Sequence, residues 1–204
     1  MDIFLLTDII GIIAFSLSGF LVGIRNKLDL LGIVIAASLT ALGGGIIRDA
    51  LLHRTPFAFS EYYPAVTLMI TIALAFSFQF MRSEKIENRW LFVVSDTVGL
   101  VAFSITGALL AIDAQYNVFG IVILSFLTAA GGGITRDVMI NKVPSVLISD
   151  FYGSIALIVA VMLTVLFYLE MLNDISILLV GIVAVSIRLI AYTKQWHLPT
   201  LHQK

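Results

Sequence analysis

The chain has 204 residues, of which 60% are hydrophobic and 12% charged, with a net charge of −1, no cysteine and a mean hydropathy of +1.06. That is more apolar surface than a water-soluble domain of this length can hide in one core, so a soluble fold is excluded and an integral membrane protein is expected. The balanced charge leaves no basic patch for nucleic acid, and the absence of cysteine excludes disulfides and thiolate metal sites.

Seven apolar stretches, at 4–24, 30–52, 63–81, 90–112, 118–140, 150–169 and 175–193, reach the roughly 20 residues a helix needs to cross a hydrocarbon layer ~30 Å thick. The expected fold class is all-α integral membrane, with residues 1–204 as one domain. The first span begins near Met1, carries Asp8 and lacks a basic leader and a small-residue cleavage site, so it reads as a retained helix and not a signal peptide. The second holds "LTALGGGIIRD", Leu39 to Asp49, and the fifth holds "LTAAGGGITRD", Leu127 to Asp137. Tyr62 and Tyr63 at the start of the third span and Trp90 at the start of the fourth read as interfacial aromatic anchors. The hydrophilic piece "RSEKIENR", 82–89, links the two halves, and 194–204 forms a tail.

Alternate connections differ in lysine and arginine. One set holds Arg25, Lys27, Arg82, Lys85, Arg89, Lys142, Lys194 and Lys204; the other offers Arg54 beside Asp113, Glu170 and Asp174. The positive-inside rule therefore puts the N-terminus outside and the C-terminus, the tail and the 82–89 linker in the cytoplasm.

Sliding the chain along itself by 88 residues aligns 22 of the 49 positions from Asp8 to Pro56 with identical residues and no gap. Asp8 falls on Asp96, Gly11 on Gly99, "AFS" at 14–16 on "AFS" at 102–104, Gly19 on Gly107, "GIVI" at 32–35 on "GIVI" at 120–123, and Pro56 on Pro144. This is an internal repeat, 4–81 against 90–169. Each copy holds three spans, and an odd number inverts the second copy across the bilayer, giving a three-plus-three inverted repeat. The seventh helix, 175–193, has no counterpart and is expected outside the symmetric pair or at an oligomer interface.

Gly43, Gly44 and Gly45 lie near mid-membrane, about 20 Å along the second helix at a rise of 1.5 Å per residue. Three adjacent glycines weaken a helix by roughly 1 kcal/mol each relative to alanine, so a kink or local unwinding is expected there and at Gly131, Gly132 and Gly133. Carbonyls freed around Thr40 to Leu42 and Thr128 to Ala130 would converge on the midplane. There they suit a partly dehydrated monovalent cation, held transiently near Thr40, Leu42, Thr128 and Ala130. For Gly11, Gly19, Gly99 and Gly107 the preferred reading is close helix packing. For the triple runs it is a pore or substrate role, because packing motifs need small residues three or four apart on one face. Ser16, Ser104, Thr40 and Thr128 either line that path or bond back within their own helices.

Charges inside a span are default candidates for a functional site. Asp49 is adjacent to Arg48, and neighbours one apart on a helix point in different directions, so Asp49 is not the expected partner. Depth points instead to Asp8 with Arg48 in the outer leaflet and Asp96 with Arg136 in the inner leaflet, as structural locks or as gating elements. Asp137 stands to Arg136 as Asp49 does to Arg48. No cluster has metal-ligand spacing. No set of nucleophile, base and orienter can be assembled, so the chain is not expected to be an enzyme.

With seven spans, an inverted repeat, and "GGGIIRD" matched by "GGGITRD", the sequence resembles the prokaryotic members of the trimeric intracellular cation (TRIC) channel family. The resemblance implies a homotrimer embedded in the lipid of the plasma (inner) membrane, with one pore inside each protomer, not on the three-fold axis, formed around helices two and five kinked at the glycines. It implies permeability to K+ with some Na+, and no cofactor. Carried onto this chain, the motif residues are Gly43, Gly44, Gly45, Arg48 and Asp49, and Gly131, Gly132, Gly133, Arg136 and Asp137. Animal members carry a lysine-glutamate-valine motif near the first glycines and bind an inositol lipid; here the residues before Gly43 are "SLTAL". Bacterial members also carry the label of glycine transporter. The alternative to a passive channel is therefore a secondary carrier for glycine or a similar zwitterion, its carboxylate held at half-helix N-termini near Arg48 and Arg136.

Overall fold

The computed structural model describes residues 3–81, 89–148 and 151–196, all helical or turn, with no strand among them. Among the described residues nine helices follow in order: α1 (Ile3–Arg25), α2 (Leu30–Leu51), α3 (Phe57–Ser60), α4 (Tyr63–Met81), α5 (Arg89–Asp113), α6 (Val118–Met139), α7 (Ser145–Ile148), α8 (Tyr152–Tyr168) and α9 (Asp174–Thr193). Among the described residues α1, α2, α5, α6 and α9 are long and apolar enough to span a bilayer, while α4 and α8 are shorter apolar helices. An all-helical chain of this kind satisfies its backbone within each segment, which a lipid surround demands. The linker expected at 82–89 lies outside the described residues apart from Arg89, as do Lys204, His197 and His202 of the tail.

Local chemistry recurs at the 88-residue offset. Asp29 and Asn117 cap α2 and α6, accepting from the Gly32 and Gly120 amides at 2.7 and 2.8 Å, which satisfies donors left open in a first turn. Lys27 and Gln115 take left-handed backbone where α1 and α5 end, and His53 and Asn141 do so where α2 and α6 end. The four-residue helices α3 and α7 follow Pro56 and Pro144.

The core is a cluster of α1, α2, α5 and α6, with α4 on α1, α8 on α5 and α6, and α9 on α5 and α8. Where α1 crosses α5, Phe15 packs on Gly99 and Phe103 on Gly11, and the two rings stand 5.4 Å apart. Gly19 meets the Ala36 to Thr40 stretch of α2, and Gly107 meets the Ser125 to Thr128 stretch of α6. These four glycines are sites of close helix approach, the packing role expected of small residues between membrane helices.

The triple glycines do not unwind their helices. Helices α2 and α6 stay α-helical from end to end, and no glycine has positive φ, so no turn unwinds and no carbonyl is released by unwinding. The glycines permit contact instead. A Cβ on Gly44 would overlap the Thr128 carbonyl oxygen, and a Cβ on Gly132 would overlap that of Thr40. The hydrogens in those positions point at the opposing carbonyls, a Cα–H···O contact worth about 0.5–1 kcal/mol each. Gly43 stands 3.3 Å from the Gly132 Cα when given a Cβ, Gly45 faces the Phe57 ring, and Gly131 faces the Ile47 side chain and the Gly44 Cα. Three adjacent glycines thus serve different neighbours around a turn, which a one-face packing motif does not anticipate.

Gly44→Ala and Gly132→Ala should each lower the Tm in detergent. The ~1 kcal/mol gain in helix propensity is outweighed by overpacking against backbone, which costs about 1–3 kcal/mol and has no side chain to rotate away. Gly133→Ala, whose Cβ would meet only the Tyr152 hydroxyl at 3.5 Å and Arg136 at 3.8 Å, should leave the Tm unchanged or raised. Equal responses from all three would contradict this account of the crossing.

Candidate functional site: two buried arginine clusters

Arg48 and Arg136 are 0% and 1% exposed and sit in the last turns of α2 and α6. A guanidinium carries five N–H donors, and each cluster supplies acceptors from several segments.

In the first cluster Arg48 Nη1 donates to Asp8 Oδ1 at 3.2 Å and to Thr106 Oγ1 at 3.4 Å. Its Nε and Nη2 donate to the two oxygens of Asp49 at 2.8 and 3.3 Å. The second oxygen of Asp8 accepts from the Tyr63 hydroxyl at 2.6 Å. Asp49 also accepts from Arg54 Nε at 2.9 Å and from the Phe57 amide at 2.7 Å. The Phe57 and Phe4 rings lie 5.1 and 5.8 Å from the guanidinium carbon, a geometry that adds cation–π attraction. Asp8, Arg48 and Asp49 are all fully buried.

The second cluster repeats this plan with one change. Arg136 Nε donates to Asp137 Oδ1 at 2.9 Å, and Asp137 Oδ2 accepts from the Ser145 amide and hydroxyl at 2.8 and 3.0 Å. Arg136 Nη1 stands 3.7 Å from Asp96 Oδ1, too far for a hydrogen bond, and the Ser18 hydroxyl closes the gap. Ser18 accepts from Arg136 at 3.2 Å and donates to Asp96 at 2.8 Å. Tyr152 stands beside Asp96 and Arg136, in the place that Tyr63 takes beside Asp8.

Ser18 and Thr106 are themselves 88 residues apart. Helix α1 therefore gives Asp8 to one cluster and Ser18 to the other, while α5 gives Asp96 to one and Thr106 to the other. The repeats are interlocked through polar contacts as well as through the Phe15 and Phe103 rings.

The structure brings Asp8 to Arg48 and Asp96 to Arg136, and it corrects the exclusion of Asp49 and Asp137. Backbone neighbours do diverge at Cβ, but the arginine side chain is long enough to fold back, and the Phe57 and Ser145 amides draw the carboxylates round to meet it. Ser16, Thr40 and Thr128 bond back to Ile12, Ala36 and Leu124, whereas Ser104 pairs with Ser125 and the Ala156 carbonyl; all four side chains are in residues with no exposure. The Thr40 and Thr128 carbonyls do converge where α2 crosses α6, each against a glycine of the other helix. Among the described residues no group of histidine, cysteine and carboxylate side chains could hold a metal ion.

Sequence reasoning missed Ser18, Thr106, Tyr152 and Arg188, and read Tyr63 only as an interfacial anchor. Ser18 and Thr106 differ in identity, so a search for identical pairs passes over them. Tyr63 and Tyr152 are 89 apart, one residue out of register. Arg188 was legible as a charge inside the seventh span.

Removing Asp8 leaves the buried Arg48 guanidinium with one carboxylate, Asp49, in place of two, at a cost below the about 3–5 kcal/mol of a fully unpaired buried charge. Asp8→Asn should lower the Tm, and Arg48→Gln added to it should recover part of the loss, with a clear coupling in the double-mutant cycle. In the second cluster the Asp96–Arg136 coupling should shrink when Ser18→Ala removes the bridge. Strict additivity in the first cycle would mean that Asp49 and Thr106 hold Arg48 without Asp8.

A family model described as a glycine transporter matches the chain twice, at residues 5–80 and 93–168. The chain is 34% identical over 197 residues to the UPF0126 membrane protein YvgT of Bacillus subtilis, covering 95% of this chain and 94% of that protein. It is 31% identical over 197 residues to the UPF0126 inner membrane protein YadS of Escherichia coli, covering 94% and 91%. A 39% identical match to a UPF0126 membrane protein of Deinococcus radiodurans covers 69% of this chain and 64% of that protein, less than two thirds of its length. Among solved structures, one described as the structural basis for conductance through TRIC cation channels is 33% identical with a TM-score of 0.85, covering 98% of this chain and 97% of that one. A TRIC trimeric intracellular cation channel orthologue from Rhodobacter sphaeroides is 27% identical with a TM-score of 0.83, covering 96% and 100%. This likeness supports a cation channel, and the family and fold are channel-like and not those of known enzymes. On sequence along nearly its whole length and on fold alike, the chain belongs to the prokaryotic TRIC family, the one that the glycine-transporter model also describes.

Proposed function

We propose that the protein is a potassium-permeable channel for monovalent cations, sodium included, working as a homotrimer with one pore in each protomer. The pore runs beside the crossing of α2 and α6, between the two arginine clusters. The observation that carries this reading is the crossing itself, where Gly44 faces the Thr128 carbonyl and Gly132 faces that of Thr40. Backbone meets backbone there without interlocked side chains, so a small separation exposes two carbonyl oxygens from opposite helices. Oxygens of that kind replace part of the water around a monovalent cation. The likeness to solved cation channels along almost the whole chain points the same way.

In this reading seven helices cross the membrane, with α4 and α8 joining the five longer ones. Residues 4–81 and 90–169 form inverted halves, 82–89 is a cytoplasmic linker, and α9 follows with the tail 194–204. The lysines and arginines at the ends of α1, α6 and α9 set the N-terminus outside and the C-terminus in the cytoplasm of an inner membrane. Arg48 and Arg136 hold the ends of the two crossing helices, and their carboxylate partners fix how far those helices can part.

Recording from purified protein in planar bilayers tests this. Discrete potassium currents are expected, with sodium carried less well. Gly44→Ala should cut the conductance or open time markedly in protein that still assembles, because a methyl group fills the space beside the Thr128 carbonyl. Counterflow of labelled glycine with no ionic current would replace the channel by a carrier.

A further inference from the structure

Helix α9 has no partner in the repeat, yet it brings a charge into the protein. Arg188 interrupts an apolar run, "SILLVGIVAVSIRLIAY", and a guanidinium on the lipid face of such a helix is costly, so it turns inward. It is 8% exposed, and its guanidinium stands over the Tyr152 ring at 5.4 Å from the centroid. Tyr152 is 5% exposed and stands beside Asp96, the carboxylate that Ser18 links to Arg136. Arg188, Tyr152 and Asp96 line one cavity of about 640 Å³ together with Arg25, Thr97 and Ser145.

The first cluster is built differently at the corresponding place. Tyr63 holds its carboxylate, but the group beside its ring is Phe57, tilted and 6.3 Å away. The additional cation there, Arg54, sits on Asp49 and not on the tyrosine. Asp8 is buried completely, whereas Asp96 borders the cavity. The second cluster thus has a looser arginine–carboxylate pair, bridged through a hydroxyl, next to open space. Such a pair separates at lower cost than a dry one, because water can reach the groups it leaves.

We propose that Arg188 is a positioning residue for the second charge cluster: by standing on the Tyr152 ring it keeps the Tyr152 hydroxyl on Asp96, and α9 thereby acts on conduction through that half of the protein alone. A cation on an aromatic face fixes the tilt of the ring, and the tilt decides where the hydroxyl points. With that contact gone, Asp96 loses a donor and its hold on Ser18 and Arg136 loosens. This inference rests on the channel reading above, and the two fail separately.

The test is a cycle of Arg188→Gln and Tyr152→Phe in single-channel recording, with the Tm of each variant measured in parallel. Tyr152→Phe keeps the ring but removes the hydroxyl. Arg188→Gln should change the open probability about fivefold or more, the low end for coupled sites in one protein. Arg188→Lys, which keeps a cation on the ring, should restore most of the parent behaviour. In the Tyr152→Phe background, Arg188→Gln should do nothing further. If Arg188→Gln fails to fold, Arg188→Met, of similar volume, carries the same cycle. An equal effect in both backgrounds, or a lysine variant as altered as the glutamine one, overturns the proposal. Absence of cation current from the unaltered chain sinks the channel reading itself. The positioning claim then stands or falls on whether the Tm cycle between Arg188 and the Tyr152 hydroxyl is non-additive.

Discussion

A guanidinium held out of water in the middle of a membrane protein must find acceptors for its donors, and that requirement shapes both halves of this molecule. Arg48 alone draws in α1 through Asp8, α5 through Thr106, and its own neighbour Asp49, which the chain beyond α2 holds in place through Arg54 and Phe57. Deep burial makes each contact stronger and each loss more expensive than in water. The helix ends, the loop after them and the short helix that follows are therefore fixed as a unit. Arg136 does the same for the other half, at a longer carboxylate distance.

Between these two anchored ends the helices α2 and α6 meet at Gly44 and Gly132 through backbone, with the Ile47 side chain on Gly131 and Thr135 beside Gly43. Side chains that interdigitate resist sliding and separation because many contacts must break together. A glycine hydrogen against a carbonyl is a weak contact that breaks and re-forms at little cost. Strong charge clusters at the ends and weak backbone contacts at the centre give an arrangement in which the middle yields before the ends do. That distribution of strengths suits a path that opens by a small local separation, without a rearrangement of the whole bundle.

The correspondence between the halves at the 88-residue offset is close but incomplete, and the departures fall around the second cluster. Thr106 gives way to Ser18, Phe57 to Ser145, and Tyr63 to a tyrosine displaced by one residue. Each change alters reach: the shorter serine sits between Arg136 and Asp96, and Ser145 adds a hydroxyl to Asp137 where Phe57 offers only an amide and a ring face. Helix α9 completes the difference by packing chiefly on α5 and α8. The second half thus receives contacts that the first lacks.

The class of fold, the extents of the long helices to within about two residues, the 88-residue repeat and the Asp8 with Arg48 and Asp96 with Arg136 pairings are all legible along the chain. Each follows from local or periodic physics: apolar length sets a span, identity at constant offset reveals a copy, and the cost of a charge in lipid demands a partner at the same depth. How three glycines in a row are used is set by packing in three dimensions. Helix propensity foretells a break there, but the free energy of packing two backbones together overrides a weak local preference, and the helices run on. The same holds for Asp49, excluded by the directions of neighbouring Cβ atoms and admitted once the Phe57 amide turned its carboxylate. It holds too for Ser18, Thr106, Tyr152 and Arg188. Their roles depend on which helix lies opposite, and that is set by three-dimensional contact between residues far apart in the chain, which no spacing along it encodes.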